Sequence, residues 1–145
     1  MIIIFRKGKI MKKTIRFVAF AMVALMLMLT LASCGAKPNS DPDKALDALK
    51  ENGIKLAAKD DTLQPAAYKV MGVKDVKCVV SGIGETKDGE DAAVYIIYFE
   101  SASAANDAYD KVKDEAEKEK IEDLVIGKSG SMIYYGNKAG VKAAA

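Results

Sequence analysis

Histidine and tryptophan are absent from this 145-residue sequence, and cysteine occurs only at Cys34 and Cys78. Without His the chain lacks the usual neutral-pH general base and the commonest metal ligand. A zinc site and a Ser-His or Cys-His nucleophile are therefore excluded. Arginine occurs only at Arg6 and Arg16, so everything downstream has no guanidinium for bidentate phosphate or base-edge recognition, which argues against nucleic-acid binding. Acidic residues are missing from the first 33 positions, which hold Arg6, Lys7, Lys9, Lys12, Lys13 and Arg16. The formal net charge of +2 hides this asymmetry: six of the 22 basic groups lie there, leaving 16 against 20 acidic groups in the rest. The length suits a single domain.

From Met11 the order is Met-Lys-Lys-Thr-Ile-Arg, followed by an apolar run from Phe17 to Ala32 broken only by Thr30. A basic start, an apolar stretch and a small-residue end form the tripartite secretory pattern. As a helix the run would span about 24 Å, short of a hydrocarbon core of roughly 30 Å, so a permanent transmembrane helix is disfavoured. Met1 to Ile10 precede a better-placed start at Met11 and read as an over-long gene start. Residues 1–33 are thus read as a signal peptide.

Leu31-Ala32-Ser33-Cys34 resembles the lipobox of bacterial lipoproteins, Leu-(Ala/Ser)-(Gly/Ala)-Cys. The resemblance implies a diacylglyceryl group on the Cys34 sulfur and cleavage between Ser33 and Cys34, with Leu31, Ala32 and Ser33 recognised by the signal peptidase. Palmitate-type chains would then hold the protein to the extracytoplasmic side of the cell membrane, since two acyl chains anchor stably where one does not. The lysine-rich, arginine-free remainder is similar in composition to small lipoproteins of Gram-positive bacteria.

After Cys34, residues 34–40 are small and polar, a tether reaching roughly 20 Å at most, and 41–145 read as one small α+β domain. Asp41 as N-cap with Pro42 at the first helical position, and Ala45, Leu46 and Leu49 at helical spacing, predict an N-terminal helix from Pro42 to Asn52, stopped by Gly53. Ile54 to Ala57 is extended or a strand, and Pro65 to Met71 a brief helix. Val76 to Ser81 and Ala93 to Phe99 flank Asp88-Gly89 and predict a hairpin. A tight turn sets Cys78 opposite Phe99, Val80 opposite Ile97 and Gly82 opposite Tyr95. Ser101 or Ser103 caps a helix from Ala102 to Lys118, where Ala105, Tyr109, Val112 and Ala116 recur at helical spacing. A second hairpin, Leu124 to Gly127 and Ser131 to Tyr135 about Ser129-Gly130, precedes a terminal helix from Lys138. The repeat of hairpin then helix predicts a four-stranded antiparallel sheet with the two later helices on one face, the other face being covered by the two earlier helices or meeting another copy or a partner.

Cys78 reads as a small buried hydrophobe without a disulfide partner once Cys34 is alkylated. Gly127-Lys128-Ser129-Gly130-Ser131 sets hydroxyls beside an amine, but a polar turn cannot desolvate the lysine. Glu85, Asp88, Glu90 and Asp91 lack calcium-loop spacing. On helix Ala102 to Lys118, Lys111 with Glu115 and Lys113 with Glu117 form i,i+4 pairs on a solvent face. No metal or cofactor is called for. The expectation is a non-enzymatic, membrane-anchored binding or interaction domain. Its contact face is predicted at Tyr98, Ile96, Val79 and Tyr134, or at the tyrosine cluster Tyr95, Tyr98, Tyr134 and Tyr135, and would meet a second copy or an envelope protein. The alternative is a small cell-envelope hydrolase working through hydroxyl and carboxylate groups, which needs a concave pocket with paired carboxylates.

Overall fold

In the computed structural model, which describes residues 36–145, Asp41 caps helix α1 (Pro42–Glu51) by accepting from the Asp43 amide at 2.9 Å. Asn52 closes the helix, and its Nδ2 donates to the carbonyls of Ala48 and Ala143. Strand β1 (Leu56–Asp60), helix α2 (Leu63–Val70), strands β2 (Val76–Glu85) and β3 (Asp91–Phe99), helix α3 (Ala102–Lys118), strands β4 (Val125–Ser129) and β5 (Met132–Gly136) and helix α4 (Lys138–Ala143) follow. The Ser101 hydroxyl accepts from the Ala104 amide and starts α3 where its periodicity begins.

The sheet has five strands, not four, in the order β1-β2-β3-β5-β4, and every pairing is antiparallel. The added strand is Leu56–Asp60, which overlaps the predicted extended piece and pairs along β2 from Leu56 opposite Ile83 to Asp60 opposite Val79. Leu-Ala-Ala-Lys-Asp has no β-branched residue, so its extended form is imposed by the partner strand rather than by its own propensity.

The β2–β3 register differs from the tight-turn expectation by one residue. Val80 faces Ile96 and Gly82 faces Val94. The Thr86 amide donates to the Glu90 carbonyl at 2.9 Å and the Gly89 amide to the Thr86 carbonyl at 3.0 Å, leaving a three-residue loop, Lys87-Asp88-Gly89. Gly89, at φ +82°, supplies the left-handed residue that this loop type needs. One extra loop residue exchanges the faces of one strand relative to the other. The β4–β5 turn is likewise Gly130-Ser131 rather than Ser129-Gly130, because Ser129 pairs with Met132 and Gly130 (φ +57°) takes the first position of a type II′ turn.

Both sheet faces are apolar and both are covered. Cys78, Val80, Val94, Ile96, Tyr98 and Met132 pack with Ala45 and Leu49 of α1 and with Val141 and Ala143 of α4. Val79, Ile97, Phe99, Ile133 and Tyr135 pack with Ala105, Ala108, Val112 and Ala116 of α3, and with Val73 and Tyr68 from the α2 region. The helices therefore sort as α1 with α4 and α2 with α3, correcting the expected arrangement. The reason is local to the α4 junction. Asn137 donates its amide to the Ala93 carbonyl (2.9 Å), accepts from the Ala93 amide (3.1 Å), donates Nδ2 to the Asp91 carbonyl (2.8 Å) and caps α4 through the Gly140 amide (2.8 Å). Gly140 then rests on the backbone of β3: a β-carbon there would lie 2.4 Å from the Ala93 oxygen.

Gly140→Ala tests this packing. In an open helix the change would stabilise by roughly 1 kcal/mol, but here the methyl meets backbone. The expected result is a loss of about 2 kcal/mol in urea unfolding. Lys142→Ala, on the exposed side of α4, should stay within about 0.5 kcal/mol.

Candidate interaction surface

Cys34 and the recognition residues Leu31, Ala32 and Ser33 lie outside the described residues. The stretch read as tether is fastened at its far end. Pro38 is buried, the Asn39 amide donates to the Ala144 carbonyl (2.9 Å), the Tyr98 hydroxyl donates to the Asn39 carbonyl (2.7 Å), and Lys37 Nζ meets Ser129 Oγ (3.3 Å).

The four residues predicted as a contact face do not form one. Tyr98 and Ile96 are buried beneath α1 and α4, with half-buried Tyr134 packed against that cluster, whereas Val79 is buried on the α2–α3 side. The register shift separates them, and helices cover what the sequence left open. The tyrosines divide the same way. Tyr95 and Tyr135 stack at 5.1 Å between ring centres on the α3 side, where the Tyr135 hydroxyl donates to Glu119 Oε1 at 3.1 Å. Lys111 donates to the Gly72 carbonyl rather than pairing with Glu115, whose partner is Lys118 at 2.9 Å.

Among the described residues, the exposed large apolar side chains lie elsewhere. Leu56 (73% exposed) and Ile83 (46%) are register partners on β1 and β2, and Leu63 (78%), Val70 (89%) and Met71 (44%) belong to α2 and its C-cap. All five therefore sit on the β1–β2–α2 quarter. Leu63, Ala66, Ala67 and Val70 follow helical spacing, the signal of a buried face, yet all are exposed, and no residue of α2 is fully buried. Sequence periodicity marks these positions as apolar and cannot say that they face water.

Beside this quarter runs an open cleft of about 540 Å³ between Pro65, Ala66 and Lys69 of α2 and the segment from Val73 to Val76. A second, of about 260 Å³, is bounded by Gly72, Lys74 and Asp75 and by Asp107 and Lys111 of α3. Asp75 and Asp107 stand on its rim, and among the described residues no Asp, Glu or Lys side chain is buried. The described residues contain no cluster of three or more potential metal ligands, and no described helix is long and apolar enough to cross a membrane.

Cys78 is buried in the sheet, and burial pushes its thiol pKa up, with Lys59 and Lys77 opposing. Burial also holds the hydroxyls of Tyr98 and Tyr135 protonated well above the usual phenol range. Comparison with protein-family models, curated proteins and solved structures finds no match to this chain.

These raised groups set a pH response. Unfolded, the thiol and phenols release protons above pH ~9, while the fold keeps them bound, so stability is whole below that range and is lost as pH rises through it. With no His in the chain, melting temperature should be flat between pH ~6 and ~8 and fall above ~9. A thiol reagent at pH ~8 should leave Cys78 untouched until urea is added.

Proposed function

We propose that this chain is a membrane-anchored lipoprotein displaying a small, non-enzymatic binding or interaction domain on the extracytoplasmic side of the cell membrane. The anchor rests on Leu31-Ala32-Ser33-Cys34 at the end of the apolar run. The interaction role is carried by one observation: the large apolar side chains left exposed gather on one quarter of an otherwise closed α+β domain, as contact surfaces do. The contact residues are accordingly Leu56, Leu63, Val70, Met71 and Ile83, replacing the face read from the sequence. An envelope protein or a second copy of the chain is the partner class, and no nucleic acid is involved.

Cys34→Ser should leave the precursor uncleaved and abolish acyl labelling in cells of the source type. Normal processing of that variant would refute the anchor. Photo-crosslinkers placed at Val70 and Ile83 in the native membrane should give a discrete adduct that a crosslinker at Asp88, on the β2–β3 loop, does not give. Val70→Asp should remove the adduct while changing unfolding free energy by less than about 0.5 kcal/mol, because the side chain is largely in water already.

A further inference from the structure

Charge is segregated along the exported chain. Residues 41–123 hold 12 lysines and 20 acidic groups, whereas residues 34–40 together with 124–145 hold Lys37, Lys128, Lys138 and Lys142 and no Asp or Glu. The fold lays these two acid-free stretches along one side of the domain, from Lys138 beside the Asp91 end of β3 to Lys37 beside Ser129 at the other end. Asn39 is bonded to Ala144 at the end of α4, and Lys37 reaches Ser129 at the end of β4. Lys138 and Lys142 are exposed one turn apart on α4, whereas Lys128 on the edge strand β4 turns to the other sheet face and bonds Asn106 of α3. Among the described residues none of the four is ion-paired. Asp41 and Asp91 border this side, and Asp43 is engaged by Lys59 at 2.8 Å.

Cys34 is three residues from Lys37, a reach of roughly 11 Å. The apolar quarter lies on the far side: β1 is four strand spacings from β4, about 19 Å, and α2 covers the opposite sheet face from α1 and α4. A bilayer lying along the outer side of α4 meets the opposite sheet face from α2. We propose that the side formed by α4 and Lys37 is the bilayer-facing surface, its lysines meeting the phosphates of anionic headgroups. The apolar quarter is thereby turned away from lipid, toward the aqueous phase. This rests on the lipid anchor at Cys34 and adds to it a fixed orientation. Lysines within a Debye length of an anionic surface supply the attraction, and the net negative charge of residues 41–123 repels the rest of the body from the same surface.

The chain contains no Trp, so single tryptophans report position. Full-length lipidated protein carrying Ala145→Trp or Val70→Trp is reconstituted into vesicles of phosphatidylglycerol and brominated phosphatidylcholine. Quenching at 145 should exceed that at 70 by at least about twofold, and the excess should vanish in pure phosphatidylcholine or in about 1 M salt. The triple variant Lys37→Glu, Lys138→Glu, Lys142→Glu should lose the excess while unfolding at the same urea concentration. Equal quenching at the two positions, stronger quenching at 70, or indifference to lipid charge would overturn the orientation. The mass of the N-terminal peptide separates the two ideas. An unmodified Cys34 on protein that does not sediment with vesicles refutes the anchor itself, whereas an acylated Cys34 with any of those quenching patterns refutes the orientation alone.

Discussion

The pairing of β2 with β3 is the constraint on which the rest of the domain depends. These are the two longest strands and lie at the middle of the sheet, so their register decides which side chains face which helix layer. With Val80 opposite Ile96 and Val79 opposite Ile97, each face pairs apolar residues across the two central strands. One face takes α1 and α4 and the other α2 and α3. A slip of one residue would leave apolar rows on both sides but bring mismatched partners together, which is why the loop Lys87-Asp88-Gly89 matters beyond its size.

Much of this architecture is legible in the residues, and what is not has identifiable causes. Helix α3 begins and ends where Ser101 and the spacing of Ala105, Val112 and Ala116 place it, because cap and periodicity are local signals. Helix α1 is equally plain in Asp41, Pro42 and Gly53. The hairpin register is not legible, since Asp88-Gly89 suits both a two-residue and a three-residue loop and glycine takes a positive φ in either. Strand β1 is hidden because its conformation comes from pairing. The assignment of helices to faces is hidden because both faces are apolar, and the distinguishing feature, Gly140 against the Ala93 carbonyl, is a contact between residues far apart in sequence.

The same limits governed the surface. Tyr98, Ile96 and Val79 carry apolar area and were natural contact candidates, but burial depends on which helix arrives above them. Leu63 and Val70 show the converse: their spacing would seat a helix on a core, and only the tertiary arrangement leaves them in water. The lysines at positions 37, 138 and 142 are visible as residues, while their placement along one side follows from Asn137 bonding the start of β3 and Asn39 joining Ala144.

That junction has a mechanical meaning. The segment ahead of α1 is clasped at Asn39 to Ala144, just past α4, and to the Tyr98 hydroxyl, so the two ends of the domain share one fastening. Any pull on the residues ahead of Asn39 loads this clasp before it reaches the sheet, and a release there would loosen the start of the domain and its closing helix together.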